Sequence, residues 1–137
     1  MRRAKKSFLL VMAAILLSSA GCARRVKFTA LPPARSGTAN LRVELTYDRN
    51  DLLLVKLSNV PDPSELNSKF TRYVLWVATP DRRRVINVGQ LRVDKNKAEI
   101  RTLTPLHRFL LFITAEPSGD VMDPGPDVLF ETKEVNW

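Results

Sequence analysis

From residue 41 onward, apolar and polar side chains alternate along the chain with a period of two. In LRVELTYD (41–48), Leu41, Val43, Leu45 and Tyr47 fall on one face and Arg42, Glu44, Thr46 and Asp48 on the other, the pattern of a half-buried strand. DRND then supplies turn residues, and Leu53, Val55 and Leu57 resume the inward face in LLLVKLS, which predicts a hairpin. After the polar connection PDPSELNSK, the run RYVLWVA (72–78) is almost continuously apolar, so it is predicted to lie centrally in a sheet with both faces covered. TPDRRR turns the chain into VINVGQLRV, where Gly89 predicts a bulge or a close backbone approach. KAEIRTL alternates again, with Ala98 and Ile100 inward and Glu99 and Arg101 outward. RFLLFITA (108–115) reads as a second buried strand, and PGPDVLFETK opens on a Pro-Gly turn at 124–125 and ends in a short strand.

These segments make seven strands, or eight if KFTAL pairs as well, about eight to twelve residues apart with no amphipathic helix among them. The spacing predicts an all-β fold, an antiparallel Ig-like β-sandwich of seven to eight strands, with a small closed barrel as the alternative. A chain of 137 residues, 45% hydrophobic and 26% charged, has room for one such domain and enough apolar residues to fill its core.

The first 21 residues follow a different logic. Arg2, Arg3, Lys5 and Lys6 form a basic start, Phe8 to Leu17 an apolar run, and Ser18 to Gly21 a small-residue tail, the three parts of a secretory signal. About ten apolar residues fall short of the roughly 20 that span a bilayer. The run stops at Cys22, the only cysteine. Packing in a core does not suit a residue at the end of a signal, and a lone thiol makes no intrachain disulfide. The stretch resembles a bacterial lipoprotein lipobox, with Ser19, Ala20 and Gly21 ahead of the cysteine; Ser19 stands where that pattern usually has an aliphatic residue. The resemblance implies removal of residues 1–21, lipidation of Cys22 and stable anchoring by more than one acyl chain. An ordinary cleaved signal and an uncleaved anchor are the alternatives. Ala23 in place of Asp implies passage to the outer membrane, facing the periplasm. Residues 22–40, basic and carrying Pro32, Pro33, Ser36 and Gly37, read as a tether from the lipidated cysteine, with RVKFTAL (25–31) as an alternative edge strand and the β-sandwich domain at 41–137.

Removal of the signal changes the charge. The whole chain is +8, but four of its 22 basic residues and none of its 14 acids lie before Cys22, which leaves +4. That mild excess does not make the dense basic stripe that a nucleic-acid binder needs, and it suits an anionic surface.

Candidate chemistry within the domain is sparse. His107 is the only histidine, so no histidine pair exists to hold a metal, and it reads as a loop or strand-edge residue. Ser58, Ser64, Ser68 and Ser118 sit in turn-like contexts without a nucleophile elbow. Glu116, Asp120, Asp123 and Asp127 gather near one turn but lack calcium-loop spacing, so they read as solvated carboxylates. Arg82, Arg83 and Arg84 form a charged hairpin tip, the candidate contact with an envelope protein or an anionic surface. Tyr73 and Trp76 read as core. No catalytic set, metal site or cofactor is expected.

Tyr73 and Trp76, Gly89, Glu116-Pro117 and Pro124-Gly125-Pro126 together resemble the extracytoplasmic domain of the anti-sigma factor K family over residues 41–130. This chain has DPGP where that family prefers Pro-Thr-Gly-Pro, and three arginines where it has a glycine-rich hairpin. The resemblance implies the fold. Anti-sigma activity is not carried over, because the sigma-gripping helical segment and the transmembrane helix of those proteins have no counterpart here. Two functions are expected from these features: a lipid-anchored binding or structural module of the cell envelope, or a sensory accessory of an envelope signalling system.

Overall fold

The computed structural model describes residues 22–32, 34 and 36–136. The signal segment, residues 1–21, lies outside them. In chain order the elements are β1 (Ala23–Lys27), β2 (Thr29–Ala30), β3 (Thr38–Leu45), β4 (Asp51–Ser58), the single helical turn α1 (Pro63–Leu66), β5 (Arg72–Ala78), β6 (Val85–Leu91), β7 (Lys97–Thr104), β8 (Arg108–Glu116), β9 (Val128–Glu131) and β10 (Val135–Asn136).

The strands form two antiparallel sheets. One has four strands in the order β1-β3-β4-β7; the other has six, in the order β2-β9-β8-β5-β6 with β10 added alongside β8. The expected β-sandwich is therefore the fold observed. Within PDPSELNSK, α1 is closed by a capping box: the Asp62 carboxylate accepts from Ser64 N and the Glu65 side chain from Asp62 N, with Pro63 opening the turn.

The inward residues of the alternating strands build the main core. Leu41 and Val43 of β3 and Leu53, Val55 and Leu57 of β4 meet Tyr73, Leu75 and Val77 of β5 and Leu111 and Ile113 of β8. Buried Tyr73 reaches the edge of this core, where its hydroxyl donates to the Pro61 carbonyl at 2.9 Å. Burial pushes its pKa up, so it stays a neutral donor.

Gly89 does both things its sequence context suggests. The β5–β6 register slips between Leu75/Trp76, so that Leu75 opposes Gly89 and Trp76 opposes Asn87. Gly89 has φ +140, and a Cβ there would lie 2.4 Å from Ile100 Cδ1 of the facing sheet.

Two regions depart from the sequence reading. Residues 22–40 are not a free tether; the edge-strand alternative for 25–31 is the one the pairing bears out. β1 pairs with β3 from Ala23 opposite Glu44 to Lys27 opposite Asn40, β2 pairs with β9, and Ala34 and Gly37 are buried. The segment crosses from one sheet to the other at half-buried Phe28, which satisfies its backbone by pairing and buries apolar side chains that a solvated linker would expose. The second departure is Tyr47. The inward row of β3 ends at Leu45, which is 57% exposed, and Tyr47 sits fully exposed in the turn, because Thr46 N already bonds back to Asn50 O.

Candidate interaction surface

Cys22 is exposed with a free thiol, and the next residue is already in a strand. The row Ala23, Glu44, Leu52 and Leu103 crosses all four strands of the smaller sheet one residue from its end. At that end lie the β3–β4 turn, residues 46–50, and the connection 105–107 that carries the chain from β7 to β8. Since Leu110 opposes Ala78, the β5–β6 hairpin tip lies at the same end on the other sheet. Cys22 and the arginine tip, far apart in sequence, therefore share one end of the sandwich.

Among the described residues the outer face of the four-stranded sheet is uncovered and basic. Arg25, Lys27, Arg42, Lys56, Lys97 and Arg101 point outward, as do the acids Glu44 and Glu99. Arg42 pairs with Glu44 at 2.6 Å and Lys56 with Glu99 at 3.8 Å, both exposed contacts of small energetic weight. Leu52, Leu54 and Leu103 form an apolar strip between these charges.

The β3–β4 turn is shaped by its own polar groups. Arg49 adopts φ 63, its N donating to Thr46 O, while the Asp48 carboxylate accepts from the Thr46 hydroxyl and Asn50 Nδ2. Those bonds hold the Asp48 pKa below its ordinary value. The sequence marks DRND as a turn but gives no sign that Leu45, Tyr47 and Leu103 are left exposed together.

The three arginines do not act alike. Arg82, with φ 55, folds back so that its guanidinium lies 5.5 Å from the centre of the Phe112 ring and 3.4 Å from Glu131 Oε2. Arg83 reaches Asp81 at 3.5 Å and is otherwise exposed. Arg84 contributes backbone groups that bond Thr79 and close the hairpin.

The acids near the penultimate turn do not converge. Glu116 is buried, accepting from Thr114 Oγ1 at 2.6 Å and Gly125 N at 2.7 Å, and Thr114 Oγ1 accepts from Trp76 Nε1 at 2.8 Å. Asp120 instead bonds Ser118. Among the described residues no group of three or more His, Cys, Asp and Glu side chains is placed to hold a metal ion.

His107 meets an acid that the sequence did not connect with it. Its Nδ1 lies 3.2 Å from Oδ1 of Asp51, a fully buried carboxylate at the Cys22 end whose Oδ2 has no hydrogen-bond partner among the described residues. Burial pushes the Asp51 pKa up, and His107 opposes that shift. The two lie 56 positions apart in the chain, with no spacing signal that would join them.

No family model, no curated protein and no solved structure matches this chain. No helix among the described residues is long and apolar enough to cross a membrane.

Proposed function

We propose that this chain is a lipid-anchored β-sandwich of the cell envelope, held in the outer membrane on its periplasmic side through lipid on Cys22, that acts as a binding or structural module rather than as an enzyme. The observation that carries the reading is the position of Cys22: exposed, unpaired, and directly after a basic, apolar and small-residue segment. The open basic face and the two hairpin tips are its candidate contact surfaces.

The test is Cys22→Ser in the intact precursor. The wild-type chain should incorporate labelled fatty acid and sediment with membranes, and the variant should lose the label and either enter the soluble fraction or persist unprocessed. Normal maturation and full membrane retention of the variant would refute the reading. The sensory alternative rests on the anti-sigma resemblance and predicts altered stress transcription in a deletion strain.

A further inference from the structure

Strand pairing begins one residue after Cys22, so no spacer separates the attachment point from the folded domain. A lipid on Cys22 brings the bilayer against the start of β1. Anchoring at that position therefore fixes which end of the sandwich faces the membrane.

That end is also where apolar side chains are left uncovered. Four large hydrophobic residues stand out as exposed among the described residues: Leu45 at 57%, Tyr47 at 106%, Leu103 at 51% and Met122. The first three lie at the Cys22 end. Cys22 and Leu45 line one shallow depression with Arg42 and Glu44, and Leu103 lines a neighbouring one with Leu52 and Arg101. From Ala23 to Leu103 the row spans three strand intervals, roughly 14 Å.

The charges around this apolar group suit phosphate. Arg25, Arg49 and Arg101 have no acid within ion-pair distance among the described residues. Of the nearby acids, Glu44 is paired with Arg42, Asp48 is bonded within its own turn, and Asp51 is buried. Tyrosine, with an apolar ring and a polar tip, belongs among the residues enriched at membrane interfaces.

We infer that this end of the sandwich rests in the head-group layer of an anionic bilayer, with Leu45, Tyr47 and Leu103 in the interface and Arg25, Arg49 and Arg101 on lipid phosphates. The inference depends on membrane attachment next to Ala23, as in the function proposed above, and adds the orientation. It also directs the Arg83 side of the other hairpin toward the same surface.

The experiment uses the processed chain purified from membranes and reconstituted into phosphatidylglycerol-containing vesicles with brominated acyl chains. In Tyr47→Trp the added emission should be quenched about twofold or more, whereas in Ser68→Trp, an exposed position on another loop, it should not. Arg25→Glu with Arg101→Glu should reduce the quenching of the Tyr47→Trp emission, and so should replacing phosphatidylglycerol by phosphatidylcholine. Flotation reports attachment separately. Vesicles that float the protein while leaving the Tyr47→Trp emission unquenched would overturn the orientation and spare the anchor. Self-association in place of quenching would reassign the surface to a second copy. A chain that fails to float would remove both proposals. Because Tyr47 and Ser68 are exposed turn residues, both variants should fold, which far-ultraviolet circular dichroism checks.

Discussion

The two sheets share a core and differ on their outer faces. The six-stranded sheet covers its outer side with its own chain: Val74, Trp76, Ala78 and Phe112 are buried there under Val121 and Val128, with the Trp76 and Phe112 rings stacked at 6.2 Å. Asn87 Nδ2 holds the covering loop by bonds to Gly119 O at 3.0 Å and Val121 O at 2.9 Å. The four-stranded sheet has no such cover among the described residues, and its outer side carries arginine, lysine and a strip of leucine. One outer face works as a second core, and the other is free to meet something else.

The comparison breaks most sharply at Trp76. Trp76→Ala empties the second core and removes the donor to Thr114 Oγ1, and should cost about 3–5 kcal/mol in chemical denaturation. Leu103→Ala on the open face should stay within about 0.5 kcal/mol. Glu116→Gln keeps the shape of the side chain but replaces one acceptor oxygen with a donor amide. Gly125 N and the Thr114 hydroxyl both donate to Oε1, which the amide oxygen of Gln reproduces, so what is lost is the strengthening of two bonds by the charge, about 1–2 kcal/mol. Asn87→Ala should cost about 1–2 kcal/mol and speed amide exchange across residues 117–127 while leaving β3 and β4 unchanged. Equal losses on the two outer faces would erase the distinction.

The smallest expected effect concerns pH. Asp51 has a raised pKa in the folded state, so between its ordinary value of 3.8 and that raised value the folded chain binds more protons than the unfolded one. Its contribution to stability is therefore fully present below 3.8 and is lost as pH rises through the folded value. The lowered values of Asp48, Asp62, Asp81, Asp120 and Glu134 act in the opposite sense. Subtracting the stability profile of Asp51→Asn from that of the wild type should isolate a fall with rising pH above 3.8; a flat difference would show that the buried carboxylate is fully compensated by His107.

Strand-forming segments were legible because their burial is periodic. RYVLWVA is apolar on both faces, and it is buried on both, at β5. β1 is legible only as an alternative to a tether, RVKFTAL being open to edge pairing, because ARRVK has only Val26 as an apolar residue turned toward the core and an edge strand with arginine on either side lacks alternation. The cover over Trp76 and Phe112 was illegible for another reason: Val121 and Val128 flank a loop rich in Asp and Pro, where no period marks burial. The arginine tip was visible as charge, but the return of Arg82 onto Phe112 depends on a ring 30 residues further along the chain.

The two ends of the described chain meet. β2 pairs with β9, Thr29 opposite Glu131, and the Arg24 guanidinium donates to the backbone oxygen of Asn136. A polypeptide delivered from its N-terminus, whether by a ribosome or through an export pore, can assemble the four-stranded sheet once Thr104 has emerged. The six-stranded sheet must wait for β9 and β10. Closure is therefore a late event that joins the first strands to the last, and pairings this distant in sequence fold slowly. Until then the edges that will be sealed stay open, so the interval between emergence and closure is when the chain depends most on protection from its neighbours.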